Sequence, residues 1–143
     1  MRRHFAATPE QVFAAFATKA LVAQWLSPSP DIAVTVLDFD FREGGVYRLA
    51  YRVPGGPTVI VGGSYRSIRP PSTIVFSWII EPPDAHAGIQ SEVRVTITPQ
   101  GTGTDLVIRH EKLARIDAVE RHAEGWRGAL DRLSTILNRE THT

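Results

Sequence analysis

The sequence predicts an α+β protein in which a curved antiparallel sheet of six or seven strands wraps around one long C-terminal helix, with two short helices near the N-terminus. Three observations carry this reading. Residues 31–111 hold a succession of runs rich in Val, Ile, Thr and aromatic residues, separated by short Gly- and Pro-containing turns. From Ile116 onward, apolar residues recur at spacings of three and four. Ahead of both, Thr8-Pro9-Glu10-Gln11 has the form of a helix start.

Taken in order, the few residues from Arg2 to Ala6 offer one short strand. In the first helix Thr8 is the N-cap, Pro9 occupies the first helical position, and Gln11 completes a capping box. Val12, Phe13 and Phe16 form its apolar side. A second helix, from Lys19 to Leu26, is stopped by Pro28 and Pro30. Strands are expected at 32–39, 45–53, 58–68, 73–80, 90–98 and 104–111. The segments between them are Gly44-Gly45, Pro54-Gly55-Gly56-Pro57, Pro70-Pro71, Pro82-Pro83 and Gly101-Thr102-Gly103. Connections this short join neighbours, so the strands form an antiparallel meander. Tyr47, Leu49 and Tyr51 share one face, with Arg48 and Arg52 on the other; Val93, Val95 and Ile97, and Leu106, Ile108 and His110, alternate in the same way. Between Val36 and Leu37 the alternation slips, which marks a bulge. In the last helix Ile116, Val119, Ala123, Trp126, Leu130, Leu133 and Leu137 make a stripe, widened by Ala129 and Ile136. Such a stripe lies across the chain's own sheet rather than in a coiled coil. Arg115, Arg121, Arg127, Arg132 and Arg139, interspersed with Glu120, Glu124 and Asp131, are expected to form its solvated face.

At 143 residues the chain fits a single domain spanning 1–143. Sixteen basic against fifteen acidic residues leave +1, with no basic excess to neutralise phosphates, so nucleic acid is not an expected partner. No cysteine is present, which removes disulfides, thiol nucleophiles and Cys-based zinc sites. Nothing approaches the roughly 20 apolar residues of a membrane span. The short basic start, Met1-Arg2-Arg3-His4, is followed by Pro9, Glu10 and Lys19 rather than an apolar run. The expectation is a cytoplasmic protein that does not enter a membrane.

A sheet of six or seven strands is wider than the roughly 10 Å cylinder of one helix. Curling the sheet covers its apolar face only in part. The remaining gap must be filled by large side chains, by the short N-terminal helices, or by a bound molecule, and apolar cavities with a few polar groups are the usual small-molecule sites.

Several pieces of the chain, in this order and spacing, are similar to one known group. They are Ala7-Thr8-Pro9-Glu10-Gln11-Val12-Phe13, Trp25, Gly44-Gly45-Val46-Tyr47-Arg48, Gly63-Ser64-Tyr65 before Pro70-Pro71, Gly101-Thr102-Gly103-Thr104-Asp105-Leu106 leading to His110, and Gly125-Trp126 with Leu130, Leu133 and Leu137. The chain resembles the SRPBCC superfamily (START and birch-pollen-allergen-like), and within it the group named for homology to an activator of the heat-shock ATPase. That resemblance implies a helix-grip fold of order β-α-α-β₆-α, with a cavity between sheet and C-terminal helix. Members of the group usually have a longer first strand than Arg2 to Ala6 allows. The eukaryotic activators it resembles carry an additional N-terminal chaperone-binding domain, to which nothing here corresponds, and the group shares no catalytic set.

Candidate ligand-binding residues follow from the inner faces. Trp126, facing the sheet from the helix, is either a cavity wall or plain core, and Trp25 either borders the entrance or pins a short helix. Phe76 and Trp78 share a face, as do Tyr47 and Tyr51. Two inward hydroxyls left unpaired would cost roughly 1–3 kcal/mol each, so both tyrosines are candidate polar handles. His110 and His122 complete the set. They do not read as a metal site, because zinc needs three or four converging ligands and no Cys, Asp or Glu shares their inner faces. As a proton-transfer residue His110 lacks an oriented partner, and no G-x-x-x-x-G-K-[ST], G-x-G-x-x-G or G-x-S-x-G occurs. No catalytic residue, metal or cofactor is therefore assigned. The expected function is binding of a small hydrophobic or aromatic molecule. A co-chaperone role with a chaperone as partner is the alternative, and an enzyme comes third; homodimerisation is left open.

Overall fold

The computed structural model describes residues 1–81, 90–111 and 116–141, with 116–122 and 139–141 as backbone only. The elements follow in the order β1 (Arg2–Phe5), α1 (Pro9–Ala17), α2 (Lys19–Trp25), β2 (Ala33–Phe39), β3 (Val46–Arg52), β4 (Thr58–Arg69), β5 (Thr73–Ile80), β6 (Gln90–Gln100), β7 (Gly103–Glu111) and α3 (Ile116–Thr141). Strands β2 to β7 form an antiparallel meander. The first strand closes it by pairing antiparallel with the last, in the sheet order β1-β7-β6-β5-β4-β3-β2. Four residues suffice for that pairing, from Arg2 opposite Val107 to Phe5 opposite Thr104.

Local chemistry explains most boundaries. The Thr8 side chain accepts from the Gln11 N–H, and the Gln11 side chain accepts from the Thr8 N–H, so the expected capping box starts α1. The slip in β2 is a bulge between Val36 and Asp38, which leaves Leu37 outside the alternation and 43% exposed. A second register shift lies between Tyr65 and Ser67 of β4. Strand β6 runs past the expected 98 to Gln100 and includes Pro99. Its pairing with β5 ends at Thr96, so Pro99 sits where β6 has only β7 beside it and one side needs no ladder donor. The hairpin turn is then two residues, Gly101-Thr102, with Gly101 at φ +62°.

One apolar core fills the concave side of the sheet. Along β3, β5, β6 and β7 the inward residues Leu49, Ile74, Val93, Val95, Leu106 and Ile108 are almost wholly enclosed. Against them α3 presents Trp126, Ala129, Leu130, Leu133 and Leu137, the buried members of its predicted stripe, while Ala123 and Ile136 of the same stripe are half-buried. The segment between α2 and β2 crosses α3 at Gly128, where a Cβ would overlap the Pro28 carbonyl; only a glycine lets the two backbones touch.

Candidate functional site

The trough between sheet and helix divides into two ends. At the first, α1 and α2 bring Phe13, Phe16 and Trp25 towards β2–β5. Phe41 packs edge-on against Phe13 (centroids 5.8 Å) and Tyr65 (4.9 Å), and Tyr47 packs edge-on against Phe76 (5.6 Å). The void left among these rings is about 20 Å³, room for about one water.

At the second end a cavity of about 350 Å³ remains. Its floor is Tyr51 and Val53 from β3 and the segment after it, Val59 and Val61 from β4, and Trp78 and Ile80 from β5. Glu124, Gly125, Trp126 and Ala129 of α3 form the roof, and Leu26, Ser27, Pro28 and Ile32 form a side wall. That side wall is clamped. The Arg132 guanidinium donates to the Gln24 carbonyl (Nη2, 2.6 Å) and the Ser29 carbonyl (Nη1, 3.1 Å), while Ser27 Oγ turns back to the Ser29 and Ile32 carbonyls. Arg132, expected on the solvated face of the helix, is half-buried and tied to this segment. It lies where the α2–β2 segment crosses the helix, and it satisfies carbonyls that no strand or helix pairs.

The polar groups of the wall are mostly spoken for. Trp126 Nε1 donates to His110 Nδ1 (3.1 Å), and His110 Nε2 meets Ser91 Oγ (2.7 Å), which in turn donates to the Trp78 carbonyl (3.0 Å). An indole N–H can only donate, so Nδ1 accepts. Ser91 spends its one hydrogen on Trp78, so His110 Nε2 carries the proton and donates to Ser91. His110 therefore holds the neutral Nε2–H tautomer behind the two tryptophans, 5.7 Å from Trp78 and 6.4 Å from Trp126 by ring centroids. Tyr51 differs: among the described residues its hydroxyl has no hydrogen-bond partner. Among the described residues no buried side-chain oxygen or nitrogen is left sealed without one, so this hydroxyl keeps access to the cavity it lines. Burial of the ring pushes its pKa well above the ordinary tyrosine value, and it stays a neutral hydroxyl. Glu124, the ionisable carboxylate on the described wall, is exposed at the rim.

The eight candidate residues separate accordingly. Tyr51, Trp78 and Trp126 line the cavity. Tyr47 and Phe76 lie at the packed end instead. The Tyr47 hydroxyl is no handle: it donates to the Ser77 carbonyl at 2.6 Å, and burial, reinforced by Tyr51 and Tyr65, raises its pKa far above the usual value. That carbonyl is free because the β4–β5 ladder is irregular there. Ser64 N–H goes to Ser77 Oγ, and Gly63 lies so close that a Cβ would overlap the Ser77 carbonyl. Trp25 is fully enclosed and does not border the entrance; its Nε1 donates to the Ala15 carbonyl (2.9 Å) and its ring meets Phe16, pinning α2 to α1. His110 is behind the wall, not on it. The His122 side chain lies outside the described residues. Sequence reading missed the side wall from Leu26 to Ile32. Its one legible signal was the pair Gly125 and Gly128 on a helix that otherwise had no reason to carry them.

Comparison with known proteins agrees with this architecture. The family model described as "Activator of Hsp90 ATPase homolog 1-like protein" matches residues 6–138. The chain belongs to that family. Among solved structures, the chain is similar to a protein from Chromobacterium violaceum, at 28% identity over 96% of this chain and 94% of that one, with a TM-score of 0.87. A Silicibacter pomeroyi protein whose description bears the AHSA1 name is 28% identical over 98% and 96% of the two chains (TM-score 0.86). A Rhizobium loti protein is 31% identical over 94% and 92% (TM-score 0.78). No curated protein matches the chain. The family fold is the helix-grip arrangement expected from the sequence, and no described helix is long and apolar enough to cross a membrane.

Proposed function

We propose that the protein binds a small hydrophobic or aromatic molecule in the cavity between the sheet and α3. The observation that carries this is the cavity itself. Its volume falls at the small end of the roughly 300–1,000 Å³ range of ligand sites, and its lining is predominantly apolar with one unengaged hydroxyl. A fold that merely tolerated poor packing would be expected to spread small voids along the trough rather than collect them at one end.

Two measurements test the reading. Native mass spectrometry of the protein purified from its own cell is expected to show a bound mass. In solution, a neutral aromatic such as 2-naphthol is expected to quench Trp78 and Trp126 saturably in a Trp25→Phe background. An Ala129→Leu change, which pushes a side chain into the cavity, is expected to abolish that quenching while the urea midpoint holds. Absence of both a bound mass and saturable binding rules the proposal out. The co-chaperone alternative draws no comparable support. The exposed large apolar side chains among the described residues are Met1, Leu37 and Val46; Met1 adjoins β1 at one end of the sheet order, while Leu37 and Val46 are on strands at the other end.

A further inference from the structure

We infer that the cavity selects aromatic molecules bearing a single hydrogen-bonding group, such as a phenol, with that group on the Tyr51 hydroxyl and the ring against Trp126 and Trp78. The inference rests on the small-molecule reading above and narrows it to a ligand class.

Of the polar side chains on the described wall, Glu124 lies exposed at the rim, which leaves Ser27, Trp126 and Tyr51 to decide what the interior offers. Ser27 Oγ is turned away onto the Ser29 and Ile32 carbonyls. The Trp126 N–H is held by His110 Nδ1, and His110 is itself fixed by Ser91, whose proton goes to the Trp78 carbonyl. This chain of three bonds makes Trp126 an aromatic surface without a donor: it presents carbon to the cavity and nothing that hydrogen-bonds. Trp126 and Trp78 lie 5.7 Å apart by centroid and tilted at 48°, so together they offer two ring faces. Tyr51, on the opposite side of the cavity from α3, supplies the hydroxyl, which can donate to or accept from a ligand. A ligand with one polar group satisfies that hydroxyl. Away from Glu124 at the rim, a second polar group on the ligand must be desolvated against apolar walls, and sites of this kind reject such groups.

A matched series of one ring system tests the inference: naphthalene, 2-naphthol and 2,7-dihydroxynaphthalene, titrated against the full chain and the Tyr51→Phe variant by fluorescence. In the wild type, 2-naphthol should bind roughly three- to tenfold more tightly than naphthalene, as one added hydrogen bond allows, and the diol more weakly than 2-naphthol. In Tyr51→Phe the advantage of 2-naphthol over naphthalene should collapse to about unity, with naphthalene affinity unchanged. A retained advantage in Tyr51→Phe, or a diol that binds the wild type more tightly than 2-naphthol, overturns the single-handle inference while leaving the cavity reading standing. Failure of all three compounds to bind the wild type overturns both. The wild-type series stands without the variant, and Tyr51→Phe removes only an oxygen that no described residue engages.

Discussion

At the end of the trough where α1 and α2 dock, Tyr47 and Tyr65 each pack edge to face on Phe76 and leave about 20 Å³, whereas at the other end Tyr51, Trp78 and Trp126 stand around about 350 Å³. The strands are the same and so are the residue types. Tyr47 and Tyr51 even share a strand and a face, four residues apart. What differs is the cover. Two short helices, with Phe13, Phe16 and Phe41, bear on the first end; the second has α3 and the clamped segment from Leu26 to Ile32. A single helix over a broad sheet leaves room wherever nothing else is laid beside it, and among the described residues the larger room lies at the end that the short helices do not cover.

The contrast can be broken or sharpened by substitution. The largest effect is expected from Phe76→Ala at the packed end, which should lower unfolding free energy by about 3–5 kcal/mol in urea titrations. Ile80→Ala at the hollow end only widens an existing void and should cost less, near the lower limit of about 2 kcal/mol for such truncations. Equal losses would show that the ends are packed alike. Enlargement should invert the order. Ala15→Leu, in the enclosed interior beside α2, should destabilise by about 1–3 kcal/mol, while Ala129→Leu, growing into the cavity, should leave the midpoint unchanged or raise it.

The tyrosines give a finer comparison. Tyr47→Phe strands the Ser77 carbonyl in the interior and should cost about 1–3 kcal/mol; Tyr51→Phe removes an unengaged hydroxyl and should change stability by less than about 0.5 kcal/mol. Titration with alkali acts more gently, and at both ends. Burial raises the pKa values of Tyr47, Tyr51 and Tyr65 in the folded state, so above about pH 10 the unfolded chain loses phenolic protons that the folded chain keeps. Stability should therefore fall as pH rises beyond that point, by at most about 1.4 kcal/mol per tyrosine per pH unit. Tyr47→Phe and Tyr51→Phe should each flatten the slope of the melting temperature against pH.

Most of the fold is legible in the sequence, because its signals are local. Period-two alternation set the faces of β3, β6 and β7, Thr8 and Gln11 announced the first helix, and the broken parity at Val36 marked a bulge that the pairing of β2 with β3 confirms. The site was legible by face but not by position. Alternation says that Tyr47 and Tyr51 both point inward; it carries no information about which end the short helices will cover. Trp25 misled for a related reason, since its carbonyl partner on Ala15 depends on the angle between α1 and α2. Arg132 misled because a helix pattern assigns residues to sides without knowing what crosses those sides. The wall from Leu26 to Ile32 has no periodicity to read.

That crossing has a consequence for how the pocket can change. Pro28 rests in the notch at Gly128 and Arg132 straps the segment beside it, so on this flank the distance across the chamber is set by main chain against main chain. Trimming side chains there gains little width, and adding a methyl at 128 would lift the whole strap. Variation in what the chamber admits is left to the sheet, at positions such as Val59, Val61 and Ile80, where residues can be exchanged without disturbing the hinge between roof and wall.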